Sequence, residues 1–474
     1  MTDKYSACTS FLAGKKATAD GSTLIGRNED SKPAWPKFFT VHPHTEHEEQ
    51  PIFTSKDNGF SMPLPKIAGK YTATPEWTAE FGEFEEDGIN EYGVAMSATE
   101  SAYTNGRVLS FDPLIKDGIG EEAMVTVVLP YVKSARAGVL RLAKIIEKYG
   151  TCETNGILFS DQNEVWYMET AGGHQWVAQR IPDDSYAVVS NQLSIQEIDF
   201  NDAENFMYKY DIQDFVSKNH LNDQPTGFNF RNIFGLNDLS DEFYNTPRVW
   251  YGQKLLNPEI KQEPQSHDMP FIRKASHLIQ VEDVKRILGS HYEGTPYDPA
   301  GNGTEYEKHC YRPVSLPATQ ESHILQIKPD LPIEIGGIHW LCMGLAAQSV
   351  YVPFFAGITK TPEMYHHGIA QSYSNDSAYW VFKLSSVLVD AHYQEFIQSL
   401  NDTRKKVNID MNTLLHEYEK KARDLSEDEL ADTLNEAGQK ISDIAINQFT
   451  ALNNELISKA TPLSPLFYKH NENL

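Results

Sequence analysis

The chain has 474 residues, a formal charge of −25 at pH 7, and 40% apolar and 11% aromatic residues. That composition suffices for a sizeable buried core. The acidic excess excludes nucleic acid and anionic membrane as partners, because both require basic patches.

In chain order, the first seven residues, MTDKYSA, are polar and too short for a secretory signal. No apolar run is long enough to span a bilayer, so a cytoplasmic location is expected. Residues 8–30, CTSFLAGKKATADGSTLIGRNED, predict two short strands around a turn at Ala19-Asp20-Gly21-Ser22. Such a hairpin folds the end of its second strand back toward the start of the first, bringing Arg27 and Asp30 near Cys8. Cutting the Ala7–Cys8 bond would give Cys8 a free α-amine beside its own thiol. An unperturbed α-amine titrates near ~7.7–8.0 and a thiol near ~8.5, so the amine is a plausible base for the nucleophile that carries it. Arg27 adds fixed positive charge that favours thiolate, and Asp30 would orient the amine or the guanidinium. The other cysteines, Cys152, Cys310 and Cys342, are far apart and make neither a disulfide framework nor a zinc pattern. No metal or cofactor is called for.

Cys8-Thr9-Ser10, Asp20-Gly21-Ser22-Thr23 and Arg27-Asn28-Glu29-Asp30 resemble the opening of the dipeptidase A family of bacterial peptidases. These are cysteine-type N-terminal-nucleophile hydrolases, related to bile salt hydrolases, penicillin V acylases and the secernins. The resemblance implies that residues 1–7 are a propeptide, removed by attack of Cys8 on its own preceding bond.

Beyond the hairpin, seven prolines between residues 33 and 75 break any long element. His42, His44 and His47 have ligand-like spacing in a polar, Glu-rich stretch, and read as solvated loop histidines. Residues 88–97 predict a hairpin turning at Asn90-Glu91-Tyr92-Gly93. In the related bile salt hydrolases an asparagine follows this hairpin; here Thr99-Glu100-Ser101 stands in its place. Glu100 is a candidate to bind a substrate α-ammonium, with a solvated strand-end carboxylate as the alternative.

Ser134 to Tyr149 predicts a helix, capped by Ser134 and stopped by Gly150. A meander of four strands, near residues 156–160, 164–169, 175–180 and 186–190, follows. It ends at Asn191, whose amide is a candidate oxyanion donor, as the corresponding asparagine is in the relatives. Asp202 to Asn219 and Glu282 to Leu288 predict helices. Tyr244 to Trp250 looks familiar from the family, but no role is assigned beyond packing. Arg312, in His309-Cys310-Tyr311-Arg312-Pro313, resembles the family's late arginine, which completes the polar network of the site. Strands return over 323–354, and from Ser377 onward the pattern is helical, with a capping box at Ser426–Glu429.

The element order predicts an α+β fold of two stacked antiparallel sheets flanked by helices. The resemblance implies the four-layer αββα sandwich of N-terminal-nucleophile hydrolases. The expected division is 1–7 as propeptide, 8–376 as hydrolase core and 377–474 as a helical region packed on that core. The function implied is hydrolysis of dipeptides through a Cys8 thioester, with Cys8, Arg27, Asp30, Asn191 and Arg312 as catalytic residues and Glu100 on the substrate. The implied partner is a dipeptide or other small amide; a homo-oligomer remains open. The alternatives are an amidase of N-acyl amino acids and a secernin-like protein without enzymatic activity.

Overall fold

The computed structural model of the chain describes residues 8–466. Thirteen strands build two antiparallel sheets: β1 (Thr9–Ala13), β2 (Thr23–Asp30), β3 (Asp87–Ile89), β4 (Ala95–Ala102), β5 (Thr154–Ser160), β6 (Val165–Ala171), β7 (Gln175–Ile181), β8 (Tyr186–Val189), β9 (Phe206–Tyr208), β10 (Ile272–Arg273), β11 (Thr319–Ile327), β12 (Gly337–Met343) and β13 (Val352–Phe355). The seven-stranded sheet runs β10-β8-β1-β2-β11-β12-β13 and the six-stranded sheet β9-β7-β6-β5-β4-β3. The β1–β2 hairpin is therefore central, flanked by strands from much later in the chain. Its turn is fixed by Asp20, whose carboxylate accepts from the Ser22 amide at 3.1 Å and hydroxyl at 2.6 Å. Gly21 supplies the φ of +77° that the turn requires.

The expected four-strand meander is only three strands long. β5, β6 and β7 pair in sequence, but β8 crosses to the other sheet and pairs with β1, Ser10 opposite Val189 and Ala13 opposite Tyr186. The turn before β8 docks on the hairpin: the Gly14 amide donates to Ser185 O at 3.0 Å and the Lys16 amide to Asp183 O at 2.7 Å. A Cβ on Gly14 would lie 2.4 Å from Pro182 O, so the glycine is what lets the two backbones close. The crossing brings the end of β8, and Asn191 beyond it, to the sheet that carries Cys8.

Alternation along each strand divides the core. Leu12, Ile25, Val189 and Leu325 meet Leu158, Tyr167 and Val177 of the six-stranded sheet in one cluster. The opposite side chains of that second sheet, among them Met96, Ile157, Phe159 and Trp166, pack on helices α1 (Glu121–Val128) and α2 (Ala135–Tyr149). Ser134 caps α2 by accepting from the Ala137 amide, and its apolar face holds Val139, Leu142 and Ile146. On the far side of the seven-stranded sheet, Phe11, Leu24, Val188, Ile324 and Trp340 pack in one cluster with Leu256 of α3 (Thr246–Leu256) and Leu288 of α4 (Val281–Leu288).

The same cluster takes Phe382, Leu400, Met411, Ile441 and Phe449 from α5 (Ala378–Ala391), α6 (Tyr393–Ala422) and α7 (Glu427–Ala460). The helix expected from Asp202 is confined to Ile212–Lys218, after β9. Among the described residues no helix is long and apolar enough to cross a membrane. The expected propeptide, residues 1–7, lies outside the described residues.

Candidate active site

Strand parity sets which side chains meet. Thr9 pairs with Asn28 and Ser10 with Arg27, so the next step along the ladder sets Cys8 across from Glu29. With Leu12 and Ile25 turned between the two sheets, Cys8, Ser10, Arg27 and Glu29 turn the same way. Thr9, Asn28 and Asp30 face the opposite side.

Between the sheets Cys8 is only 1% exposed. Its Sγ donates to Glu29 Oε2 at 3.5 Å and lies 3.2 Å from Arg27 Nη1. Arg27 also donates to Glu29 Oε2 at 2.7 Å, Glu86 Oε2 at 2.7 Å, Thr99 O at 3.0 Å, Ala98 O at 2.9 Å and Ser97 Oγ at 3.0 Å. The two carbonyls flank a register shift in β4 between Ala98 and Glu100. Burial pushes the Cys8 thiol well above its ordinary range and the Glu29 charge adds to this, with Arg27 opposing both. In the full-length chain the thiol is therefore protonated, with its hydrogen directed at a carboxylate.

Behind Arg27 runs a buried polar chain. Ser97 Oγ is 2.8 Å from His323 Nε2, and His323 Nδ1 is 3.0 Å from both Asp87 Oδ2 and Glu321 Oε1. His339 Nε2 lies 2.9 Å from Asp87 Oδ1. Burial, against the attraction of Asp87, pushes His323 down to about 4, so it is neutral at pH 7. Arg27 Nε–H can only donate, so Ser97 accepts from it and gives its own proton to His323 Nε2. His323 Nδ1–H then points to Glu321 Oε1, with Asp87 Oδ2 also 3.0 Å from that nitrogen. This is a Ser-His-Glu chain whose serine oxygen is already committed to Arg27.

On the other face of the hairpin, Arg248 of α3 is the hub. Its Nη1 donates to the Cys8 carbonyl oxygen and, at 2.9 Å, to Thr9 Oγ1. Its Nη2 donates to Asn191 Oδ1 at 2.8 Å and Asn245 Oδ1 at 2.7 Å. Asn191 Nδ2 donates to Ser101 O at 2.9 Å. Asp30 accepts from Arg312 Nη2 at 2.6 Å and Thr319 Oγ1 at 2.5 Å. Arg248 and Arg312 both lie against the Tyr244 ring, 5.0 and 5.3 Å from its centroid. A cavity of about 110 Å³ opens beside Asn191, walled by Tyr103, Leu193, Leu236 and Tyr244.

The structure thus brings Cys8 and Arg27 into contact, links Asn191 to Cys8 through Arg248, and links Asp30 to Arg312. Asp30 lies on the face of β2 away from the sulfur. Glu100 is fully buried rather than solvated: Ser10 Oγ donates to its Oε2 at 2.5 Å, and its Oε1 has no hydrogen-bond partner among the described residues. Burial raises the Glu100 carboxyl to about 7, against the pull of Arg248 and the Ser10 hydroxyl. Sequence reasoning passed over Glu29, whose signal was parity within Arg27-Asn28-Glu29, and Arg248, whose stretch Tyr244–Trp250 resembled the family but was read as packing.

Two groups of buried side chains converge with ligand-like spacing among the described residues, Asp87–Glu321–His323 and Glu29–Glu86–Glu121. The second holds its own counter-ions. Glu86 bonds both Arg27 and, at 2.6 Å, Lys37 Nζ, and against burial these two cations keep it ionised. Burial and the neighbouring carboxylates push Glu29 and Glu121 upward.

Residues 7–406 match the sequence profile of peptidase family C69. The chain is 47% identical to a probable dipeptidase of Latilactobacillus sakei, with all of both chains aligned. It is 42% identical to a probable dipeptidase A of Streptococcus pyogenes serotype M3 (strain SSI-1), over 96% of this chain and 98% of that one. It is 38% identical to dipeptidase A of Lactobacillus helveticus, over 98% and 99% of the two chains.

Proposed function

The chain belongs to peptidase family C69, and from that premise we propose that it is a cysteine-type dipeptidase whose nucleophile is Cys8, freed by removal of residues 1–7. The observation that carries this reading is the convergence on Cys8 of a guanidinium at its sulfur, Arg27, and a second at its carbonyl, Arg248, which in turn holds Asn191. The names of the relatives support dipeptides as the substrate class. The layer order, helices against each outer sheet face with the sheets packed together, supports the four-layer sandwich of N-terminal-nucleophile hydrolases. We take residues 8–376 as the hydrolase core and 377–474 as a helical region packed on it.

In the processed enzyme the α-amine of Cys8 accepts the thiol proton. Arg27 stabilises the thiolate, and the sulfur attacks the peptide carbonyl. One amide hydrogen of Asn191 is bonded to Ser101, and the other is directed to the oxyanion, with Arg248 fixing the orientation of the amide. The leaving amino acid takes the proton from the α-ammonium, and water then releases the acyl residue from sulfur. Asp30, held by Arg312 and Thr319, orients the new terminus from the other face of the hairpin. Glu100, with one oxygen that has no partner among the described residues, receives the α-ammonium of the substrate.

The test is intact mass and turnover of a dipeptide panel, beside the matching N-acetylated peptides, for the native chain and Cys8→Ala. Loss of seven residues and hydrolysis of free dipeptides, both abolished by Cys8→Ala, support the reading. Activity surviving Cys8→Ala overturns it. Preferential hydrolysis of the N-acyl compounds transfers the enzyme to the amidases.

A further inference from the structure

The processed enzyme carries its own base in the α-amine of Cys8. The full-length chain does not, because that nitrogen is tied up in the Ala7–Cys8 peptide bond, and an amide nitrogen is no base. The first reaction of the chain, removal of residues 1–7, therefore needs another acceptor for the thiol proton. That acceptor must lie within reach of the sulfur while the chain is still uncut.

We propose that Glu29 is the general base of this self-cleavage: it takes the Cys8 thiol proton in the full-length chain and hands it to the departing nitrogen. The assignment rests on the reading of Cys8 as a nucleophile freed by processing, and adds the residue that makes processing chemically possible. Glu29 Oε2 accepts the thiol hydrogen at a sulfur–oxygen distance of 3.5 Å. The same oxygen is 2.7 Å from Arg27 Nη1, which is 3.2 Å from the sulfur. Thiol, base and counter-charge thus form one closed triangle. The ladder that sets Cys8 across from Glu29 fixes the contact in the backbone, so it requires no movement of the hairpin.

The surroundings suit the task. Glu29 faces Cys8 of β1, Arg27 of its own strand, Glu86 ahead of β3, Lys37 of the preceding loop and Glu121 of α1. Burial and the Glu86 charge push its carboxyl up, to about 8, while Arg27 and Lys37 pull the other way. The raised carboxyl is a stronger base than an ordinary carboxylate, which narrows the gap to the buried thiol whose hydrogen it accepts. It can therefore serve as base in the first half of the step and acid in the second.

The step balances as follows. The Sγ proton moves to Glu29, and the Sγ–C bond forms at the Ala7 carbonyl carbon. The tetrahedral intermediate collapses with cleavage of the C–N bond, and the Glu29 proton goes to the nitrogen, which becomes the α-amine of Cys8. Water then hydrolyses the Ala7–Cys8 thioester, releasing residues 1–7 as a carboxylic acid and restoring the thiol.

The experiment follows intact mass over time for freshly made full-length chain, across pH 5.5–9, for the native sequence, Glu29→Gln and Glu29→Asp, with folding monitored by thermal melting. General-base contributions run to about 10²–10⁴-fold, so Glu29→Gln should slow cleavage at least 100-fold. The native rate should climb with pH through the titration of Glu29, and Glu29→Gln should lose that limb. Glu29→Asp, which keeps a carboxylate, should recover part of the rate. Cleavage of Glu29→Gln at the native rate and pH dependence overturns the role of Glu29 and leaves the dipeptidase reading standing. So does equal slowing by the Gln and Asp variants, which would mark a packing defect. A native chain that hydrolyses dipeptides while keeping residues 1–7 overturns the processing step itself, and the role of Glu29 with it.

Discussion

Arg248 holds Asn191 at 2.8 Å through one guanidinium nitrogen while its other nitrogen holds the carbonyl of Cys8. One rigid, planar side chain thereby sets the spacing between the backbone of the proposed nucleophile and the amide proposed to face the oxyanion. A lysine carries the charge but cannot span both partners. Arg248→Lys should lower kcat/KM for a good dipeptide about 100-fold, equivalent to ~2.7 kcal/mol. Steady-state kinetics on processed enzyme measure it.

Asn191 itself should act on the transition state rather than on ground-state binding. Asn191→Ala should lower kcat by about 10²–10³-fold and leave KM within a factor of a few, as removal of an oxyanion donor does elsewhere. A KM effect with unchanged kcat would instead make Asn191 a binding residue.

Glu100 predicts a pH signature. Its carboxyl, raised by burial to about 7, binds an ammonium only when ionised. KM for free dipeptides should therefore fall as pH rises through about 7, and Glu100→Gln should flatten that change while raising KM. The stability effect has the opposite sign. A carboxyl whose folded pKa is raised makes its contribution fully below its unfolded value near ~4.3 and loses it as pH rises through about 7. Melting of the native protein should therefore weaken across that window, and Glu100→Gln should weaken less.

Ser97 is shared between Arg27 and His323. Ser97→Ala leaves the Arg27 Nε–H without its acceptor and His323 Nε2 without its donor, both fully buried. The loss should be about 1–3 kcal/mol, read from the urea midpoint at unchanged slope. Ser97→Thr, which keeps the hydroxyl, should recover most of it.

Because the proposed chemistry runs through sulfur, iodoacetamide should abolish turnover in proportion to labelling of the Cys8 peptide. Exhaustive dialysis against a chelator should leave kcat within a factor of two. A larger loss that added divalent metal restores would assign a metal to one of the two buried carboxylate groups.

Much of this arrangement is legible in the sequence where the determinants are local. The hairpin turn is written in Asp20-Gly21-Ser22, and the α2 cap in Ser134. Alternation in β1 and β2 also contains the pairing of Cys8 with Glu29, since residues two apart share a face; spacing alone instead drew attention to Asp30, on the other side. Nothing local separates β8 from the strands before it. It is apolar on both faces, and its move to the other sheet depends on Gly14 closing against Pro182. Arg248 is the extreme case, a single helical arginine that reaches Cys8 across 240 residues of sequence. Its partners are defined by the fold, so the family likeness of Tyr244–Trp250 marked the stretch without revealing what the arginine holds.

That distance has a consequence for when the chain acquires its reactivity. The hairpin bearing Cys8 is made well before its partners: β2 gains its outer neighbour only with β11, and Asp30 meets Thr319 across 289 residues. A nascent or prematurely terminated polypeptide carries the thiol without Arg248, Asn191 or the strand that flanks its counter-charge. On the proposed reading, the site for peptide cleavage is complete only once about two thirds of the chain has been synthesised and folded.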